Sequence, residues 1–168
     1  MLRVLVPSDG SANSLRGIRY VVNACMKNPD IEIHVLNVRP PFSNHVARLT
    51  SGSSRRAFHQ EQSEAALSPA RQVLNRAGVP YTIHTQIGDR ADCIADAARR
   101  LQCDRIVMGT ARKNALVRWV EDSVTIKVIE RTSVPVEVIA GDAASIVERV
   151  GVPAGIAAGI FLLLTVTN

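Results

Sequence analysis

Short apolar runs alternate along this chain with longer segments in which apolar residues recur every three or four positions. The runs predict five strands, at residues 2–6, 31–38, 81–87, 105–108 and 135–139. The helical stripes between them include Leu15, Ile18 and Val22 after the first run, and Val117, Val120, Val124 and Val128 after the fourth. Strict alternation of strands and helices predicts one parallel sheet that is covered by helices on both faces.

Two features predict local departures from this regular pattern. Residues 42–56 carry Ser, Asn, Gly and Arg without a helical period, which predicts a long mobile loop before a helix that starts at about Ala57. Pro69 falls inside that helix and predicts a kink or a break into two helices. Gly78 is placed to end the helix as its carboxyl-terminal cap.

Composition and charge narrow the class of function. Of the 168 residues, 46% are apolar, enough for the core of one domain, and only 4% are aromatic. The net charge of +5 is spread along the chain without a dense Lys/Arg tract, so we expect no nucleic-acid partner. Cys25, Cys93 and Cys103 are far apart, which favours reduced thiols in a cytoplasmic protein.

Two strand-to-helix loops carry the candidate binding chemistry. The first, residues 7–11, places an acid, Asp9, where it could hold ribose hydroxyls or a base. The second, residues 109–123, offers a glycine and a hydroxyl that could hold phosphates with backbone N–H groups. A strand order of 3-2-1-4-5 would bring both loops to one edge of the sheet. A simple turn followed by a helix cap is the commoner role of an Asp-Gly-Ser sequence.

Five segments resemble, in the correct order, the universal stress protein family. They are VLVPSDGS at 4–11, HVLNV at 34–38, IGD at 87–89, CDRIVMGT at 103–110, and the pair Ser123-Val124 with SVPV at 133–136. The resemblance covers about residues 1–140. It implies a Rossmann-like three-layer sandwich of the adenine nucleotide alpha hydrolase type, with a five-stranded parallel sheet in the order 3-2-1-4-5.

The same resemblance implies a domain at residues 1–142 that acts in the stress response. Family members commonly form homodimers by pairing the last strand across a two-fold axis. Val134, Val136 and Val138 are apolar enough for that role, and a place in the core would explain them equally.

The resemblance also implies a nucleotide site. One branch of the family binds ATP through the pattern G-x2-G-x9-G-[S/T], in which Arg112 and Asp122 here replace two glycines. Bulk at Arg112 and negative charge at Asp122 disfavour a triphosphate, whereas the nucleoside positions are kept. An adenine nucleoside, a smaller nucleotide and an empty cleft are left open. The predicted site is Pro7, Ser8, Asp9, Val38, Met108, Gly109, Arg112, Ser123 and Val124.

Patterns for other chemistry are not found. The four histidines, His34, His45, His59 and His84, lack zinc-ligand spacing, and the chain has neither a nucleophile elbow nor a Walker loop. We therefore predict no catalytic residue and no metal site. Asp89 and Asp92 suit the positive end of a helix better than acid–base work.

Residues 143–168 form an apolar tail that differs from the rest of the chain. Residues 150–168 carry no charge, and the 17 residues from 150 to 166 reach the short limit, about 17 residues, for spanning a bilayer. Gly151, Gly155 and Gly159 recur every four positions, as in contacts between membrane helices. The tail therefore predicts either membrane contact or burial against its own domain or a partner subunit.

Three functions follow from these observations. The first is a non-enzymatic, homodimeric regulator of the stress response with a degenerate nucleotide cleft and an unknown protein partner. The second is an ATP- or AMP-binding switch with slow ATP hydrolysis. The third is a membrane-tethered accessory domain of a transporter.

Overall fold

Helices and strands alternate strictly along the chain, as the apolar pattern predicts. The computed structural model describes residues 1–42, 51–110 and 123–140. Within these ranges the elements are, in chain order, β1 (Leu2–Pro7), α1 (Ala12–Lys27), β2 (Ile31–Arg39), α2 (Gly52–Ala77), β3 (Tyr81–Ile87), α3 (Arg90–Arg100), β4 (Arg105–Thr110), α4 (Val124–Arg131) and β5 (Val136–Ala140).

The strands form a five-stranded parallel sheet in the order β3-β2-β1-β4-β5. This confirms the predicted fold class and strand order. The chain winds outward from β1 to β3 and then crosses back to place β4 on the other side of β1. The winding therefore reverses between β1 and β4, where the carboxyl ends of parallel strands leave room for a ligand.

Two apolar layers hold the helices on the two faces of the sheet. On one face, Ile18 of α1 and Leu74 of α2 pack in a cluster with Val4 of β1. On the other face, Ile94 of α3 packs in a cluster with Leu5 of the same strand. Because successive strand residues point to opposite faces, β1 is buried on both sides, as expected for the centre of a parallel sheet.

The second helix begins earlier than its apolar stripe predicts. It starts at Gly52, because the Ser51 side chain accepts a hydrogen bond from the Ser54 backbone N–H at 3.1 Å and caps the helix. Ser53 and Ser54 are exposed in this first turn, so no apolar period reveals it. The predicted loop at residues 42–56 is therefore wrong from Ser51 onward, and residues 43–50 lie outside the described ranges.

The second helix also continues through Pro69 without a break. It ends at Ala77, where Gly78 adopts a left-handed conformation with φ of 65° and serves as the predicted cap. The alternative of two separate helices is therefore wrong.

The last helix and strand complete the second apolar layer. Val128 is fully buried there, and Val134 and Val136 pack against it while partly exposed. These valines thus contribute to the core, whatever further role the edge strand has. Val117 and Val120, which were predicted to share the stripe of Val128, lie outside the described residues.

Two histidines join β2 to β3 at the edge of the sheet. His34 is buried, and its Nδ1 lies 3.1 Å from Nε2 of His84. Oε1 of Glu32 lies 3.3 Å from Nε2 of His34. Burial, and then the nearby His34 and Arg100, lower the pKa of His84 from its ordinary value. The folded protein therefore favours a neutral ring at His84, beside the ring of His34.

We expect His84 to make the fold less stable as the pH falls from about 7.5 to 5.5. Below the ordinary histidine pKa of 6.5, the unfolded chain protonates His84 while the folded chain resists, so the free energy of unfolding decreases. Urea denaturation at several pH values across this range measures how steeply the free energy of unfolding changes with pH. The variant His84→Gln should show a shallower slope than the parent chain, and equal slopes would contradict the prediction.

Candidate functional site

A cleft of about 250 Å³ opens at the carboxyl edge of the sheet where the winding reverses. Its walls come from the ends of β1, β2 and β4 and from the first turns of α1, α3 and α4. The loop after β1 and the start of α4 meet there, as the strand order predicts.

Most of the predicted site residues share this cleft. Its lining includes seven of them: Pro7, Ser8, Asp9, Val38, Met108, Gly109 and Val124. Ser123 is the N-cap of α4 and directly precedes Val124 in the chain. Arg112 lies outside the described residues, so its predicted place stays a prediction.

The cleft also contains residues that were not among the nine predicted site residues. They are Ser11, Asn13, Ser14, Leu36, Arg90, Ile94, Thr110 and Thr125. Leu36 could have been found because it lies two residues before Val38 on the same face of β2. Arg90 is the first residue of α3, and no motif in the sequence marked it.

The loop after β1 is shaped by a glycine and a helix cap. Gly10 has a φ of 83°, and a Cβ there would lie 2.7 Å from the backbone oxygen of Ala66, so only glycine fits. The Ser11 N–H donates to Oδ1 of Asp9 at 3.0 Å. Partial burial would raise the pKa of Asp9, but hydrogen bonds from Ser11 and Ser14 outweigh it and hold this pKa below its ordinary value. Asp9 is therefore an ionised carboxylate at neutral pH.

The neighbouring strand fixes this loop in position. The amide of Asn37, which is fully buried, donates to the Ser8 carbonyl at 2.7 Å. The Ser8 N–H donates to the Leu36 carbonyl at 2.8 Å. Both the N–H and the carbonyl of Ser8 are thus hydrogen-bonded to β2, which holds the backbone next to Asp9 in place.

Gly109 allows α1 to approach the end of β4 closely. A Cβ at this position would lie only 1.8 Å from the carbonyl oxygen of Asn13 and 3.2 Å from the backbone nitrogen of Gly17. The sequence pattern assigns Gly109 to phosphate binding. The close packing of β4 against the backbone of α1 explains this glycine without any ligand.

The cleft combines an apolar part with a polar part. Leu36, Val38, Ile94 and Met108 are buried apolar residues of one cluster and provide a surface for a flat ring. Thr125 is buried and lines the cleft, and its side-chain hydroxyl makes no hydrogen bond to any described residue. Ser123 makes no side-chain cap bond, so the N–H groups at the start of α4 remain able to donate hydrogen bonds to an anion.

The described residues do not support thiolate or metal chemistry. Burial is the main cause that raises the pKa of the Cys103 thiol to about 11, and burial also raises the pKa of Cys93. Both thiols are therefore protonated and weakly nucleophilic at neutral pH. Within the described ranges, no three His, Cys, Asp or Glu side chains are grouped closely enough to hold a metal ion.

Helices within the described ranges are too short or too polar to cross a bilayer. Residues 143–168, which carry the predicted tail, lie outside those ranges. The membrane contact or burial predicted for them therefore stays a prediction.

The sheet order defines a Rossmann-like α/β protein with a cleft where the winding reverses. A model of the Universal stress protein family matches residues 1–140. The chain belongs to this family of stress-response proteins, which confirms the resemblance found in the sequence. Universal stress protein MJ0531 of Methanocaldococcus jannaschii is 30% identical to it over 141 residues, which are 82% of this chain and 81% of that protein.

Solved structures show the same fold at lower identity. A universal stress protein family protein from Arabidopsis thaliana with AMP bound has a TM-score of 0.62 at 18% identity, and the match covers 94% of this chain and 99% of that one. A universal stress protein in complex with cAMP has a TM-score of 0.63 at 16% identity, covering 84% of this chain and 98% of that one.

Proposed function

We propose that this stress-response protein is non-enzymatic and regulatory, and that its cleft binds adenosine or an adenosine monophosphate. One observation carries the proposal: a single cleft brings together a buried apolar surface, the ionised Asp9 and the start of α4, where Ser123 makes no side-chain cap bond. The three parts match the three parts of such a ligand, which are a flat base, ribose hydroxyls and a phosphate. The AMP and cAMP bound to structurally similar family members support this ligand class.

Each part of the ligand has a partner in this proposal. The adenine ring lies between Val38 and Met108, where it displaces water from apolar surface. The ribose hydroxyls donate to the Asp9 carboxylate. The phosphate accepts from N–H groups at the start of α4 and from the hydroxyl of Thr125.

Size and charge favour a monophosphate over a triphosphate. In the sequence, Arg112 and Asp122 replace the two glycines that would give a triphosphate room. Slow ATP hydrolysis is therefore the weaker candidate, and the family membership favours a stress-response regulator over a transporter accessory domain.

We further propose a cytoplasmic homodimer that pairs β5 across a two-fold axis. β5 is an edge strand of the sheet, so its outer backbone groups have no partner strand among the described residues. Binding of the nucleotide would then change how an unknown protein partner recognises a surface that is formed by both subunits. The tail at residues 143–168 would contact a membrane or cover apolar surface of this assembly.

Native mass spectrometry and calorimetry on the full chain test these proposals together. We expect a dimer mass, and we expect adenosine and AMP to bind more tightly than ATP with magnesium. Guanosine provides the matched control for the base. The proposal is wrong if ATP with magnesium binds most tightly, or if neither adenosine nor AMP binds.

A further inference from the structure

We infer that Arg90 closes the base end of the cleft by stacking its planar guanidinium on the face of the adenine ring. This inference rests on the proposed function, because it assigns a specificity residue to the same cleft. It concerns a residue of this chain that no sequence motif marks.

The position of Arg90 on its helix places it beside the apolar surface. Arg90 and Ile94 are four residues apart on α3, so they lie on the same face of the helix, one turn apart. Both line the cleft, and Ile94 is 3% exposed in the cluster that includes Leu36 and Val38. Arg90 itself is exposed and therefore lies at the mouth of this apolar part.

The two carboxylates nearest to Arg90 in the sequence, those of Asp89 and Asp92, already form ion pairs with Arg131. Nη1 of Arg131 lies 2.7 Å from Oδ1 of Asp89 and 2.8 Å from Oδ1 of Asp92. Asp89 also accepts hydrogen bonds from the first turn of α3. The side chain of Arg90 makes no ion pair or hydrogen bond with any residue in the described part of the chain. Its guanidinium is therefore available to a ligand.

The stability of the helix does not explain this arginine. Arg90 is the first residue of α3, and a cation at the amino end of a helix opposes the positive end of the helix dipole. A planar, weakly hydrated guanidinium is suited to stacking on an aromatic face. The side chain thus fits a role with a flat ligand better than a role in the empty fold.

Substitutions of Arg90 distinguish stacking on the base from contact with the phosphate, because adenosine has the base and lacks the phosphate. In calorimetry with adenosine and AMP, Arg90→Gln should weaken both ligands by the same factor, about 3-fold to 30-fold. Arg90→Tyr should restore most of the affinity for both, because an aromatic ring also stacks on a purine. Arg76→Gln is the matched control: Arg76 is exposed in the last turn of α2, at the opposite edge of the sheet, and should leave both affinities unchanged.

Weaker binding of AMP with unchanged binding of adenosine would overturn the inference, since Arg90 would then contact the phosphate. Unchanged binding of both ligands would overturn it as well. In each case the wild-type chain still binds adenosine, so the proposed function stands. Thermal unfolding of Arg90→Gln should occur at or slightly above the wild-type temperature, which separates lost stacking from lost folding.

Discussion

Replacing Gly109 by alanine should destabilise the protein by at least about 3 kcal/mol. The new Cβ would lie 1.8 Å from the carbonyl oxygen of Asn13, and a backbone atom cannot move aside as the end of a side chain can. The first turn of α1 would have to shift away from β4. Because Asn13 and Ser14 line the cleft, ligand binding should be lost together with stability.

Urea denaturation followed by circular dichroism measures this loss, with Gly78→Ala as the matched control. Gly78 also has a positive φ, 65°, but nothing lies within 4 Å of a Cβ built there. Its replacement should therefore cost only about 1 kcal/mol, the strain of a left-handed alanine. A loss at Gly109 no larger than that at Gly78 would show that the close approach to Asn13 can relax.

Replacing Asp9 by asparagine should weaken the binding of adenosine by about 10-fold to 100-fold. The substitution removes the charge that strengthens hydrogen bonds from the ribose hydroxyls. The asparagine oxygen can still accept from the Ser11 N–H, so the turn and the fold should be retained. Calorimetry measures the affinity, and the variant Asp96→Asn is the control, since Asp96 is an exposed acid of α3 that does not line the cleft.

The pH dependence gives a second measure of the same carboxylate. Hydrogen bonds from Ser11 and Ser14 hold the pKa of Asp9 below its ordinary value of 3.8, so the group stays ionised above about pH 5. Because Asp9 does not change its charge between about pH 5 and 8, its contribution to the affinity for adenosine should be constant over this range. An affinity of Asp9→Asn equal to that of the parent chain would remove Asp9 from the proposed site.

The apolar pattern was sufficient to predict the elements and their alternation, because burial along one helix or strand repeats with the period of that element. The family resemblance added the strand order, which places the loops after β1 and β4 at one edge. From these two sources the sequence led to Asp9, Val38 and Met108, three residues that do line one cleft. It missed the first turn of α2, because that turn is exposed and carries no apolar period.

Contacts between distant parts of the chain could not be derived in this way. The close approach of Gly109 to Asn13 spans nearly a hundred residues, and the arrangement of Arg90 with Leu36 and Val38 depends on how α3 crosses the sheet. Local sequence carries the period of each element, whereas distances between elements follow from packing of the whole core. The sequence alone therefore determined the fold and led to several residues that line the cleft, while the packed structure supplied the reason for Gly109 and the position of Arg90 at the mouth of the cleft.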